Sequence, residues 1–171
     1  MKNIKCINTD GKSVKNSSYF TKSLSALIMN AENMTRRFEM SRALLLSHGE
    51  LAKEILATTR LVLGEISGVD FLTLPSGVDL SQYEQDIRRR VEEASDGILI
   101  LTDIFGGTPF ITASRVYASL ENKDLMEVVT GMNLAMVLQV CGSLGSMTVG
   151  ELKKEVMAAG AEGIIDLKDK V

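Results

Sequence analysis

Residues Arg42 to Ser47 read RALLLS, a short and mostly apolar run, and His48 and Gly49 follow it directly before an amphipathic stretch begins at Glu50. This change of pattern predicts a buried strand that passes into a helix. His48 is the only histidine in the chain. A position at the carboxyl end of a strand is where open α/β sheets bind ligands. A lone histidine is also a common loop residue, so its assignment depends on what lies nearby.

A second loop points to the same edge of the predicted sheet. The run Gly97–Thr102 (GILILT) is apolar without alternation, as in a strand with helices on both faces. Asp103 to Pro109 (DIFGGTP) follows it at once. In a sheet ordered 2-1-3-4, the first and third strands are neighbours whose connections leave in opposite directions, which makes a ligand-binding crevice. His48 and Asp103 are therefore predicted to meet there.

Strand and helix patterns alternate from Met40 onward, which predicts an α/β fold with a doubly wound, mainly parallel sheet. The predicted strands are Arg42–Leu46, Val69–Leu74, Gly97–Thr102, Leu125–Thr130 and a fifth at Gly163–Leu167. The predicted helices are Glu50–Leu63, Leu80–Ala94, Pro109–Leu120, Asn133–Cys141 and a last one that ends near Gly160.

Helix ends and faces can also be predicted. The first helix is expected to turn Leu51, Ile55 and Val62 inward, with Gly64 as its C-cap. The second is expected to bury one apolar row and to start at a capping pair, Asp79 and Gln82. That row consists of Leu80, Tyr83, Ile87, Val91 and Ala94. Thr148 and Glu151 are spaced as a capping box for the last helix.

Composition limits the class of protein. Hydrophobic residues make up 45% of the 171 and charged residues 24%, which is typical of a soluble globular protein. The net charge of −3 gives no reason to expect nucleic acid. The two cysteines, Cys6 and Cys141, form no framework or paired motif, which fits the reducing cytoplasm. No apolar run approaches the roughly 18 residues that a membrane span needs.

Charge divides the chain into two parts. Residues 1–39 hold seven basic and three acidic residues, whereas residues 40–171 hold twelve basic and nineteen acidic ones. The first part is rich in Ser, Asn and Lys and lacks a sustained period, so we expect a poorly ordered leader of unknown role. The organised domain is expected over residues 40–171.

The two predicted site residues suit nucleophilic chemistry at histidine. Neutral imidazole is a nucleophile near pH 7, and a carboxylate on one ring nitrogen fixes the tautomer and stabilises the growing positive charge. A helix that starts at Thr108 as N-cap and Pro109 would present N–H groups to a phosphate. Gly49, Gly106, Gly107 and Thr108 are the predicted phosphate-binding residues. The alternative is that this segment only caps the third helix.

Other candidates are weaker. Arg88 to Arg90 are interpreted as the solvated face of the second helix. Without a second histidine or a paired cysteine, the sequence predicts no transition-metal site and no cofactor.

Taken together, these motifs resemble the enzyme IIA domain of the mannose family of the bacterial phosphoenolpyruvate-dependent sugar phosphotransferase system. The resemblance spans about Ser41–Leu167. Its strongest parts are Leu44–Ala52 (LLLSHGELA), Leu99–Phe110 (LILTDIFGGTPF) and Val129–Met136 (VTGMNLAM). Ala135 stands where many members have Pro, and residues 1–39 match nothing in the family.

The resemblance implies a function for each part of the site. His48 would accept a phosphoryl group from phospho-HPr and pass it to an enzyme IIB, with Asp103 hydrogen-bonded to it and Thr108 beside the phosphoryl group. Phe105 and Met132 would help to dock these partners. The resemblance also implies a cytoplasmic homodimer that exchanges its C-terminal strand and meets the membrane only through the transporter complex.

Two other functions stay open. The phosphotransfer subunit of dihydroxyacetone kinase is closely similar to this family. A regulatory module whose phosphorylation controls a transcription factor is the other alternative, although the sequence contains no DNA-binding or ATPase segment. The sequence does not identify the sugar.

Overall fold

The computed structural model describes residues 42–94 and 96–170, and the leader predicted for residues 1–39 lies outside them. The strands are β1 (Arg42–His48), β2 (Val69–Leu74), β3 (Ile98–Thr102) and β4 (Met126–Thr130). The α-helices are α1 (Leu51–Leu63), α2 (Leu80–Glu93), α3 (Thr108–Ser119), α4 (Leu134–Ser143) and α5 (Val149–Glu162). Short 3₁₀ turns occupy Lys123–Leu125 and Leu167–Asp169.

The four strands form one parallel sheet in the order β2-β1-β3-β4, which confirms the predicted topology. β1 lies between β2 and β3, with Leu46 opposite Leu72 on one side and Thr102 on the other. β1 is longer than predicted, because His48 still pairs with Leu74. The carboxyl ends of β1 and β3 are therefore adjacent at the switch point.

Helices cover both faces of the sheet. On one face α1, α4 and α5 bury a core that includes Leu45, Leu101 and Val137. On the other face α2 and α3 bury Leu44, Leu46 and Ile100. Successive strand residues point to opposite faces, so β1 and β3 contribute to both cores. This explains why GILILT lacks alternation.

The stripe that the first helix turns inward matches the predicted one only in part. Ile55 packs against the core as predicted, but Leu51 and Val62 are exposed, and Ala52, Leu56 and Thr59 are buried instead. Apolar spacing alone does not reveal this shift, because Thr59 is polar. Its hydroxyl donates to the Ile55 carbonyl at 2.8 Å, and this bond lets it enter the core.

The other predicted helix features are largely confirmed. Gly64 ends α1 with φ 83°, and Thr148 and Glu151 form the reciprocal capping box of α5. Asp79 caps α2, although its partner is the Ser81 N–H rather than Gln82. Along α2 the predicted row is buried from Tyr83 onward, while Leu80 is exposed.

The predicted fifth strand does not form in the single described chain. Residues 163–166 are irregular, and Ile164 is 80% exposed. A strand needs a hydrogen-bonding neighbour, and in the predicted exchange that neighbour is a second copy. The exchange therefore stays a prediction. In the described part of the chain, every helix is too short or too polar to cross a membrane.

Candidate functional site

His48 and Asp103 meet at the carboxyl edge of the sheet. The Asp103 Oδ2 atom lies 2.9 Å from His48 Nδ1 and accepts from the His48 backbone N–H at 2.8 Å. Asp103 Oδ1 accepts from the Ile104 N–H at 2.8 Å. The His48 side chain is 46% exposed and that of Asp103 only 12%. The pair is thus a fixed acid beneath an accessible imidazole.

The end of β1 sets the direction of the ring. Ser47 is fully buried, and its hydroxyl accepts from the Ala52 N–H at 2.8 Å, which ties the strand to the start of α1. His48 points to the opposite face, the face of Leu44 and Leu46. Gly49 turns the chain with φ 52°. The alternation of the strand therefore aims the ring toward the α3 side.

Asp103 is ionised at neutral pH. Partial burial would raise the pKa of its carboxyl, but the hydrogen bonds from His48 and Ile104 outweigh burial and hold the pKa below its ordinary value. An ionised carboxylate only accepts hydrogen bonds. A neutral His48 ring must therefore carry its proton on Nδ1, which leaves the lone pair of Nε2 free.

The start of α3 lies against the histidine ring. A Cβ atom built on Gly107 would stand 2.7 Å from His48 Cε1, so only glycine lets the ring come this close. Gly107 is also the N-cap of α3, and its carbonyl accepts from the Ile111 N–H. The prediction that Thr108 is the N-cap is wrong: Thr108 is the first helical residue. The helix begins one residue earlier than predicted, with Gly107, itself a favoured N-cap residue, in an extended conformation at the cap.

The predicted phosphate-binding residues are not equivalent. The Gly49 N–H donates to Leu74 O at 3.1 Å and the Gly107 N–H to Ile104 O at 3.3 Å. The N–H groups of Gly106 and Thr108 have no acceptor among residues 42–94 and 96–170. They and the Thr108 hydroxyl are the donors that the α3 N-terminus can offer to an anion.

Exposed apolar side chains stand in the loops and helix starts at this edge of the sheet, and we call them the apolar rim. Phe105 is 74% exposed, and its ring centroid lies 4.9 Å from that of Phe110. The other rim residues stand at helix starts or in the same loop: Leu51, Leu80, Ile104 and Ile111. Of these residues only Phe105 was predicted, from the family resemblance, whereas apolar spacing placed Leu51 and Leu80 on buried helix faces. Exposed apolar side chains near a site are typical of a docking surface.

Met132 is not part of that rim. Its side chain is 7% exposed and packs in the core on the face away from His48. Its N–H donates to Thr102 O at 3.0 Å. This burial contradicts the predicted docking role: the turn after β4 points Met132 back over the sheet.

Other predicted or reactive groups lie apart from the site. Arg88 and Arg89 pair with Glu84 and Asp86 along the surface of α2, as predicted. Arg90 departs from the predicted solvated face: its side chain is only 21% exposed and pairs with Asp70 of β2. Burial raises the pKa of the Cys141 thiol to about 11. Within the described ranges, no three His, Cys, Asp or Glu side chains gather closely enough to hold a metal ion.

This fold and site define a parallel α/β domain with an exposed, carboxylate-paired histidine at its switch point. The chain belongs to the family described as EIIA-man, PTS system fructose IIA component, which it matches over residues 42–157. It is 28% identical over 129 residues to the PTS system mannose-specific EIIAB component of Escherichia coli K12, and 26% identical to the PTS system sorbose-specific EIIA component of Lacticaseibacillus casei.

Coverage differs between these relatives. The alignment takes in 72% of this chain but 38% of the Escherichia coli protein, so the chain spans well under half the length of that relative. For the Lacticaseibacillus casei protein the shares are 75% and 91%.

Solved structures agree with this membership. The phosphotransferase system component EIIA from Streptococcus agalactiae superposes with a TM-score of 0.71 at 27% identity, over 76% of this chain and 99% of that one. The mannose/sorbose specific IIA subunit from Enterococcus faecalis gives 0.66 at 27%, over 75% and 95%.

Proposed function

We propose that this protein is a phosphocarrier that accepts a phosphoryl group on His48 from phospho-HPr and passes it to an enzyme IIB in sugar uptake. The observation that carries the proposal is the geometry of His48, with Nδ1 held by Asp103, Cε1 against Gly107 and the ring open to solvent. Family membership supports the reaction class.

The transfer step follows from the ring's protonation. The Nε2 lone pair attacks the phosphorus of phospho-HPr; the new N–P bond forms as the donor's N–P bond breaks, and the donor nitrogen keeps that bonding pair. The proton stays on Nδ1. Positive charge grows on the ring as the bond forms, and the Asp103 carboxylate stabilises it. Transfer to the acceptor reverses these events.

The α3 N-terminus provides the surroundings of the transferred group. Nε2 is bonded to Cε1, the atom that touches Gly107, so a phosphoryl group on Nε2 would lie near the first turn of α3. The free N–H groups of Gly106 and Thr108 and the helix dipole favour negative charge there. Gly49 is best regarded as a turn residue, because its N–H is occupied.

The apolar rim is the surface on which we place HPr and then the IIB protein. Phe105 is its most exposed aromatic side chain, and aromatic anchors dominate protein interfaces. Both partners must reach the same Nε2 atom, so they would bind in turn rather than together. We place this exchange in the cytoplasm.

A second copy would complete the sheet. β4 is an edge strand of the described sheet, and a groove of about 270 Å³ runs beside it, lined in part by Phe110, Ser114 and Val128. Ile164 and Ile165 of a partner copy would find apolar contact there, which removes exposed apolar surface from both copies. We therefore propose that the protein is a homodimer in which the C-terminal segment of each copy, residues 163–167, lies beside β4 of the other copy.

The test is reconstitution with phosphoenolpyruvate, enzyme I and HPr, followed by intact mass and acid treatment. We expect an acid-labile phosphoryl group on the wild type and none on His48→Ala, which contains no histidine. Labelling of His48→Ala would refute the site. Addition of the IIB domain of the Escherichia coli EIIAB protein should then remove the label. A label that leaves only to a dihydroxyacetone kinase subunit or a regulator would favour those alternatives.

A further inference from the structure

Three buried hydroxyl groups near the carboxyl edge of the sheet have no hydrogen-bond partner within the described residues. Among the described residues, Tyr83, Thr102 and Thr130 have buried hydroxyls without a hydrogen-bond partner. Thr102 and Thr130 end β3 and β4 and are Cα partners. Tyr83 stands in the first turn of α2 and is 3% exposed. All three belong to the edge of the sheet that carries His48.

The same sheet face connects these groups with His48. Tyr83 packs in the core that contains Leu46 and Ile100. His48 follows Leu46, and Thr102 follows Ile100, by two residues each, so both point to that face. Orphaned buried hydroxyls are costly, and replacing one with an apolar group of similar shape should be neutral or stabilising. A hydrogen-bond partner shared by more than one of these hydroxyls would remove much of this cost.

The charge of Asp103 acts on the Tyr83 phenol. Burial raises the pKa of the Tyr83 phenol above its ordinary range, and the Asp103 charge raises it further. The phenol thus remains a neutral O–H donor at neutral pH. An ionised carboxylate offers about four acceptor positions, and His48 N, His48 Nδ1 and Ile104 N occupy three of them. One acceptor position is left for a buried donor.

We propose that Tyr83 is a positioning residue for the His48–Asp103 pair: a buried water held by the Tyr83 and Thr102 hydroxyls donates the fourth hydrogen bond to Asp103. Two hydroxyls and a carboxylate give this water three partners, a typical number for buried water. The bond fixes the carboxylate rotamer and thereby the Nδ1–H tautomer of His48. The kinetic meaning of the proposal rests on the proposed phosphocarrier function.

The single histidine makes the test direct. The chain can be labelled with ¹⁵N at the imidazole, and every ring signal then reports on His48. In Tyr83→Phe and in Thr102→Val we expect the Nδ1–H tautomer to lose population. Tyr117→Phe removes a half-exposed phenol and should leave the ring signals unchanged. Phosphoryl acceptance should slow by roughly 3- to 10-fold in each site variant, the size of one neutral hydrogen bond.

Stability separates this role from a merely structural one. If the hydroxyls are only unsatisfied groups, both variants will be as stable as the wild type or more so, with unchanged tautomer and rate, and the proposal is overturned. A shared water predicts that the double variant is no worse than either single one. Additive losses would contradict the shared water. If Tyr83→Phe fails to fold, Thr102→Val decides the same questions. Wild-type protein that accepts no phosphoryl group would refute the proposed function, and the tautomer would still test Tyr83.

Discussion

In the variant Asp103→Asn, one side-chain oxygen replaces the two carboxylate oxygens that accept hydrogen bonds from three N–H donors. His48 N and His48 Nδ1 share Oδ2, while Ile104 N uses Oδ1. The amide has one oxygen and one NH₂ group. With its oxygen toward His48, the NH₂ faces the Ile104 N–H. With its oxygen toward Ile104, the NH₂ faces two donors and favours a proton on Nε2, the wrong nitrogen. Either way a donor meets a donor.

The size of both effects follows from this conflict. One unsatisfied donor costs about 1–3 kcal/mol of folding free energy, so the variant should fold with lower stability. In a fully enclosed Ser-His-Asp site the same substitution lowers kcat by about 10⁴. Here the imidazole is 46% exposed and solvent screens part of the charge. We therefore expect a loss of roughly 10²–10³, or about 3–4 kcal/mol of activation free energy.

Single-turnover transfer from phospho-HPr, measured by rapid quench, checks the rate, and urea unfolding checks the stability. His48→Ala provides the zero level for phosphoryl acceptance. A wild-type rate in a folded Asp103→Asn would refute the reasoning, because neither the charge nor the tautomer would then matter.

Three further outcomes are expected. Gly107→Ala should displace the His48 ring and slow acceptance at least roughly 10-fold, since a 1 Å misplacement at a reacting centre is costly. Gly142→Ala, a helix position where a Cβ meets nothing within 4 Å, is the control and should gain stability. A chain of residues 40–171 should be a dimer by light scattering and accept phosphoryl groups at the rate of the 171-residue chain; a monomer would exclude strand exchange. Because the pKa of Asp103 is lowered on folding, its contribution to stability is present above about pH 4 and lost as the pH falls through the folded value. The urea midpoint of the wild type should therefore fall more steeply below about pH 4 than that of Asp103→Asn; parallel curves would contradict this assignment.

The sheet and the His48–Asp103 pair could be predicted because each rests on a local pattern. Apolar runs in β1 and β3, each followed by glycine or acid residues, place both side chains at one edge once the strand order is assumed. The spacing of Thr148 and Glu151 gave the capping box for the same reason. Such features depend on residues close together in the chain, so the sequence alone predicts them.

What could not be predicted depends on tertiary packing. Which stripe of α1 is buried depends on how the helix packs on the sheet: Ala52, Leu56 and Thr59 are buried, and Thr59 tolerates this because its hydroxyl bonds within the helix. Met132 turns into the core, while Leu51 and Leu80 remain at the surface. Gly107 allows the ring to approach because of a contact between residues 59 positions apart, and turn chemistry alone gives no sign of it.

Residues 103–108 form a single continuous segment that sets the chemical environment of His48. Asp103 accepts hydrogen bonds from both the backbone and the ring of His48, and the ring packs closely against Gly107. The strand supplies the nucleophile, and six consecutive residues supply most of what tunes it. Selection can therefore retune the nucleophile by altering one short loop, without touching the core that holds the sheet together.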